Sequence, residues 1–279
     1  MEGGALEAVL RRDRQMVSAA LLLLTLLALG YILWLAGRMA MPTPGAMPDM
    51  PGMDMPGMDM PMGAAVQPVL KAWTAGEFLL TFVMWSVMMV AMMLPSAAPM
   101  ILLYARVGRM AQAAQKPFAA TGWFAGGYLL AWTLFSLLAT AAQGILTGLA
   151  LLTPMMASAS DAMGGVILIA AGLYQWTPWK DRCLAHCRAP LAFIQRHGGF
   201  RPRPSAALGL GLRHGFYCVG CCWALMALLF VGGIMNIAWI AGLAVLVLLE
   251  KLLKHGRLIA RGAGLAAIAA GLILLAPAA

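Results

Sequence analysis

The fold class this sequence predicts is an all-α polytopic transmembrane bundle of about seven spans, with a disordered Met-rich periplasmic loop. Three observations predict it. The 279 residues are 62% hydrophobic and only 10% charged, with a mean hydropathy of +0.85, whereas a soluble domain is about 45–50% apolar and about 25% charged. Apolar runs of the length needed to cross about 30 Å of hydrocarbon recur along the chain. The basic residues also sort to one side of those runs.

The runs divide the chain into three parts. Residues 1–38 are a cytoplasmic tail and a first span, Val17 to Gly37, preceded by Arg11, Arg12 and Arg14. A basic flank and an apolar run also describe a signal peptide, but a signal core has only about 7–15 apolar residues, so an uncleaved span is favoured. Small residues near Ala36 and Ala40 keep cleavage open. Residues 39–72 are a Met/Pro/Gly-rich linker. Residues 73–279 form the bundle, with spans expected near Trp73–Leu94, Phe118–Ala142, Asp161–Trp176, Ala207–Val231, Ile234–Leu253 and Leu258–Ala276 and a basic loop over 177–205. The Asp161–Trp176 run is short, and Ile145–Met156 before it reads as a partial or re-entrant helix. Pro95 and Pro99 are expected to end or kink the second span near the cytoplasmic interface. Runs this long and unbroken do not suit barrel strands, so helix is the expected structure throughout.

Lys and Arg near span ends stay in the cytoplasm. With the N-terminus inside, 17 of the 19 fall there: Arg11, Arg12, Arg14, Arg106, Arg109, Lys116, seven from Lys180 to Arg213, then Lys251, Lys254, Arg257 and Arg261. Arg38 and Lys71 fall outside. This places the chain in a cytoplasmic membrane as a multi-pass protein, and the net charge of +9 is explained by the anionic lipid of one leaflet rather than by nucleic acid.

The outer linker repeats a five-residue unit, Pro51-Gly52-Met53-Asp54-Met55 and then Pro56-Gly57-Met58-Asp59-Met60. Proline and glycine at this density oppose regular structure. A thioether is a soft, uncharged ligand suited to Cu(I) where thiols would oxidise. Met53, Met55, Met58 and Met60 are therefore candidate metal collectors, against the plainer reading of a low-complexity tether.

Inside the membrane, Met84, Met88 and Met92 recur every four residues and share a helical face, which Met89 and Met93 widen. Methionine is also ordinary packing material, so this stripe alone reads as core. The five cysteines say more. Cys183, Cys187, Cys218, Cys221 and Cys222 all fall in the inner loop or in what reads as the inner third of the fifth span. Structural disulfides are unexpected there, and metal-binding or catalytic thiols become the better reading. Cys183 and Cys187 lie four apart with His186 beside them, and His214, Cys218, Cys222 and Met226 form one i+4 line with Cys221 close by. Any one of these cysteines alone reads as a small buried hydrophobe. Together they read as a soft-metal site, copper(I) first and zinc second by ligand type.

Other polar residues carry less. Glu77 and Asp161 read as interfacial, Glu250 and Lys251 as a snorkelling pair, Trp85, Trp223 and Trp239 as packing or cavity lining, and His197 and His255 as solvated loop residues. No nucleotide loop, Ser-His-Asp set or paired-acid arrangement is present, so no enzyme is expected. Two rivals from other classes stand beside copper handling. One is a thiol redox protein cycling Cys183 and Cys187, whose four-residue spacing departs from the usual Cys-x-x-Cys. The other is a structural subunit whose Met-rich segment recruits a partner.

Four segments carry a resemblance: Met84-Trp85-x-x-Met88-Met89-x-Ala91-Met92-Met93-x-Pro95; Gly172-x-Tyr174-Gln175-x-Thr177-Pro178-x-Lys180-x-x-Cys183-Leu184-x-x-Cys187-Arg188-x-Pro190; Cys218-x-Gly220-Cys221-Cys222-Trp223; and Phe230-Val231-Gly232-Gly233-x-Met235-Asn236. Over about residues 73–255 the chain resembles the bacterial predicted metal-binding integral membrane proteins, often labelled copper chaperones. The resemblance implies metal binding with copper suggested, in a bacterial inner membrane. The expected partners are the lipid bilayer, the copper ion, and a periplasmic copper protein or membrane copper enzyme that receives it.

Overall fold

The computed structural model describes residues 23, 26, 29–31, 73–115, 119–153, 156–200 and 202–276. The linker lies outside them, and with it Met53, Met55, Met58 and Met60. Of the first predicted span, the described positions Leu23, Leu26, Leu29, Gly30 and Tyr31 are helical.

The described chain is helical, joined by turns and one isolated bridge between Leu152 and Ser158. In order the helices are α1 (Ala75–Ala113), α2 (Thr121–Gly148), α3 (Asp161–Tyr174), α4 (Pro178–Arg188), α5 (Pro190–Arg196), α6 (Pro204–Ala227), α7 (Leu229–Gly232), α8 (Ile237–Leu252) and α9 (Gly256–Leu275). Side-chain caps satisfy free N–H groups at the starts of four of them. Thr74 and Glu77 form a reciprocal capping box on α1, and Ser160, Thr177 and Asn236 cap α3, α4 and α8.

Four of these helices are long and apolar enough to cross a membrane: Ala75–Ala113, Thr121–Gly148, Pro204–Gly232 (α6 continued by α7) and Gly256–Leu275. α3 and α8, with 14 and 16 residues, reach only about 21 and 24 Å at 1.5 Å per residue. Two expectations change. Pro95 and Pro99 do not end α1, which runs on to Ala113. A long apolar helix keeps going through proline when its neighbours support the freed backbone. Here α2 and α8 flank α1. Beside Pro95, Ser96 Oγ and Tyr128 OH donate to the Met93 carbonyl at 2.8 and 3.1 Å, while the carbonyls that the two prolines leave without a helical donor are those of Ala91 and Pro95. Nor is Ile145–Met156 a separate re-entrant helix. Its first residues complete α2, and the chain then turns through Ala150 at φ 55° into the Leu152–Ser158 bridge.

Helix pairing rests on small residues, as expected where lipid is as apolar as the side chains. α6 lies on α2 backbone to backbone: a Cβ on Gly211 would stand 2.0 Å from the Phe124 carbonyl oxygen, and one on Gly215 2.4 Å from the Ala131 Cβ. α3 and α9 make a second such pair, with Gly172 facing Gly264 and Gly165 facing Gly271.

This geometry separates two glycines two residues apart. Gly211→Val should push α6 off α2 and destabilise the bundle by about 1–3 kcal/mol or more, the usual cost of overpacking. Gly209→Val should be nearly silent, since nothing lies within 4 Å of that position. Thermal melting of the detergent-solubilised variants distinguishes them, and equal melting temperatures would remove this contact from the account.

Candidate metal centre

The face of α6 that begins with Gly211 and Gly215 continues at spacings of three and four residues into Cys218, Cys222 and Met226. All three are at most 2% exposed. The glycine half meets α2, so the cysteine half is held against whatever flanks α2. Tyr128, from α2, places its hydroxyl 3.2 Å from Cys218 Sγ, and Cys222 Sγ lies 3.9 Å from the thioether sulfur of Met93 on α1. Cys221 and Cys222 both donate to the Cys218 carbonyl, at 3.1 and 2.9 Å. These thiols turn back on their own helix.

The other side of the cluster is α4. Gly220, on the α6 face opposite Cys218, leaves room for Cys183, whose Sγ would stand 2.8 Å from a Cβ there. One turn further, Cys187 Sγ comes within 4.0 Å of Cys221 Sγ and also interacts with Cys218. The Tyr174 hydroxyl donates to the Gly220 carbonyl, tying α3 to α6 at the same level. Both loop thiols are held above their ordinary range. Burial, then the neighbouring Cys221, raises Cys183. For Cys187 the interactions with Cys218 and Cys221 come first, and burial adds to them. Metal bound by these two therefore displaces protons.

Two buried lysines border the sulfurs. Lys180 of α4 pairs with Glu250 of α8 at 2.7 Å, both side chains at most 2% exposed. Lys251 turns the other way, its Nζ 2.9 Å from Cys218 Sγ and 3.0 Å from Ser96 Oγ. Glu250 and Lys251 are thus not a snorkelling pair. Neighbours in sequence point about 100° apart on a helix, and each finds a partner on a different helix.

The structure brings together Cys187, Cys218, Cys221 and Cys222, and sets Cys183 beside Gly220. Met226 is fully buried on the same stripe. Met84, Met88 and Met92 are buried along α1, but the thioether that meets the cysteines is Met93, one residue along. Cys218–Cys222 sits near the middle of Pro204–Gly232 rather than in its inner third. His214 lies one turn before Cys218, buried among Phe124, Tyr128 and Phe193, and its Nδ1 lacks a partner among the described residues. Of the tryptophans, Trp85 is buried and donates to Gln143 at 2.6 Å, Trp239 lines an apolar cavity of about 380 Å³, and Trp223 is 46% exposed. Sequence reasoning missed Lys251, Ser96 and Tyr128 as neighbours of the cysteines. The one available signal was a lysine at the end of an apolar run, where an ionisable residue tends to have a partner or a function.

Among the described residues, no group of three His, Cys, Asp or Glu side chains is placed to hold a metal ion. The donor set is instead a soft one, four thiols and a thioether, of the type that Cu(I) takes two or three at a time.

A family model described as copper chaperone matches residues 82–274, more than half of the chain and all of the sulfur cluster. No curated protein and no solved structure matches.

The Lys180–Glu250 pair fastens the cysteine-bearing α4 to α8, so removing one partner strands a buried charge. Lys180→Met should cost about 3–5 kcal/mol, with most of it recovered in Lys180→Met/Glu250→Leu. Melting temperatures of the two variants check this. A single variant as stable as the parent would show that the pair does not hold α4.

Proposed function

This chain belongs to the copper chaperone family, and we propose that it binds Cu(I) on the sulfur cluster within a multi-pass bundle of the bacterial inner membrane and passes the ion on by ligand exchange. One observation carries the reading: sulfurs from three separate elements, Met93 on α1, Cys187 on α4, and Cys218, Cys221 and Cys222 on α6, converge beside one another. Buried cysteines used only for packing have no need to converge, and the donor type selects a soft ion over a hard one.

In this reading the Met-rich linker collects the ion outside, and Met84, Met88 and Met92 lead it along α1 to Met93. Cys222, Cys218 and Cys221 then take it, and Cys187 draws it toward the loop. Each hand-over trades one soft donor for another and needs no hydrolysed nucleotide. Lys251 brings a positive charge of its own to Cys218, with which an arriving ion competes. The receiving partner is a copper protein or copper enzyme on either side of the membrane, and seven spans with the N-terminus inside remain the topology we favour.

The 4.0 Å approach of Cys187 to Cys221 supports a second reading, a dithiol–disulfide couple, since modest movement would bring two such sulfurs to the bonding distance of about 2.05 Å. It pairs Cys187 with Cys221 rather than with Cys183.

Metal content separates the two readings. Purified under reducing conditions, the protein should carry Cu(I) in stoichiometric amount. Cys218→Ser/Cys222→Ser should lose tight binding, and Met93→Leu should weaken it about tenfold or more. Wild-type stoichiometry and affinity in the double serine variant would make those cysteines packing. Metal-free protein that cycles a Cys187–Cys221 disulfide would favour the redox reading.

Orientation has its own test, motivated by the distribution of basic residues. A reporter fused after Arg196 should behave as cytoplasmic, and one inserted near Gly57 as periplasmic. Exchanged results would reverse the direction of the proposed route.

A further inference from the structure

At the loop end of the sulfur cluster two histidines from different helices meet. His186 lies on α4 next to Cys187, and His197 closes α5. Their ring centroids are 6.1 Å apart at an interplanar angle of 66°. Both residues are half-buried rather than sealed in the core.

Their hydrogen bonds define what they offer. His186 Nδ1 sits 2.8 Å from the Arg182 carbonyl, and His197 Nδ1 sits 2.8 Å from the Phe193 carbonyl. A carbonyl can only accept, so each Nδ1 carries the hydrogen, and in the neutral ring Nε2 keeps its lone pair. Histidines that ligate metals are prepared in this way, with the second ring nitrogen donating to a backbone carbonyl. Aromatic neighbours hold the rings: Tyr217 stacks on His186 at 4.2 Å and 10°, and Phe193 lies 4.3 Å from His197 and edge-on to His186. One such histidine would be unremarkable on any helix surface. Two from separate helices, at this separation, make a pair. With metal–nitrogen bonds of about 2.0–2.1 Å, two imidazoles sharing an ion have centroids no more than about 6.5 Å apart.

Building on the proposed function, we propose that His186 and His197 form a two-coordinate exit site that receives Cu(I) from Cys187 and presents it at the loop surface. Imidazole suits copper but is a harder donor than thiolate, so the ion is held more loosely here than in the cluster and an acceptor can remove it. The step is ligand exchange at constant oxidation state. The copper–sulfur bond to Cys187 breaks, copper–nitrogen bonds to the two Nε2 atoms form, and the Cys187 thiolate takes a proton from water.

The full-length protein in detergent tests this with two readouts. One equivalent of Cu(I) fills the cluster, a second is added, and X-ray absorption reports the donors. Transfer to a water-soluble Cu(I) chelator is then timed. The wild type should show sulfur coordination for the first equivalent and imidazole nitrogen for the second. His186→Gln/His197→Gln should keep the first, lose the nitrogen signature and slow transfer about tenfold. Unchanged transfer without any nitrogen signature in the wild type would overturn the exit site while leaving the sulfur cluster in place. Absence of sulfur-bound Cu(I) in the wild type would instead sink the proposed function. Nitrogen coordination of added Cu(I), lost in the double variant, would then keep the pair as a copper site, and its absence would remove it. Equal melting temperatures exclude misfolding of the variant.

Discussion

Gly211 and Gly215 bring the backbone of α6 so close to α2 that any Cβ at these positions would collide with it. Helices in lipid gain little by hiding apolar surface from one another, so close packing of small residues has to supply the attraction. That contact fixes the rotation of α6 about its own axis. Cys218 and Cys222 continue the same stripe, so their direction is fixed with it, toward Tyr128 and Met93. The opposite face, marked by Gly220, is left for α4 to bring in Cys183. The positions of the metal-binding candidates therefore follow from where the glycines lie.

Charge organises the other side of the cluster. A lysine or glutamate away from water is costly unless it is paired, and Lys180 meets Glu250 where α4 crosses α8. Among the described residues Lys251 forms no ion pair with a carboxylate, Glu250 being paired with Lys180. Its contacts are Cys218 and Ser96, so the cluster itself takes part in satisfying a buried cation. If the cluster holds Cu(I) as proposed, that ion shares it with the Lys251 ammonium.

The donors change character along the proposed route. Thioethers line α1, thiols gather on α6 and α4, and imidazoles stand at the loop. Thioethers tolerate an oxidising compartment, thiolates bind Cu(I) most firmly, and imidazoles release it more readily. Membership of the copper chaperone family accords with a protein that holds an ion in order to hand it on, and the graded donors give that task a physical form.

The sequence by itself determined that the chain is helical and apolar, because composition and run length leave few alternatives in lipid. It also identified the cysteines, since five thiols in two clusters at helical spacing stand out against an apolar background. It misjudged local detail wherever a distant segment supplied the missing support. Pro95 reads as a place where the helix ends or kinks, and α1 does not end there but passes through it with α2 and α8 alongside. Glu250 and Lys251 read as partners because they are neighbours in the chain, whereas their true partners lie 70 and 33 residues away. Met92 and Met93 cannot be told apart by periodicity, since a stripe of methionines gives a face but not its azimuth against another helix. Which thioether meets Cys222, which lysine meets Cys218 and which histidine meets His186 depends on the rotation and depth of packed helices. Only the tertiary structure decided these, because they depend on contacts between separate helices, such as Gly211 against the Phe124 backbone, and no spacing within one segment records them.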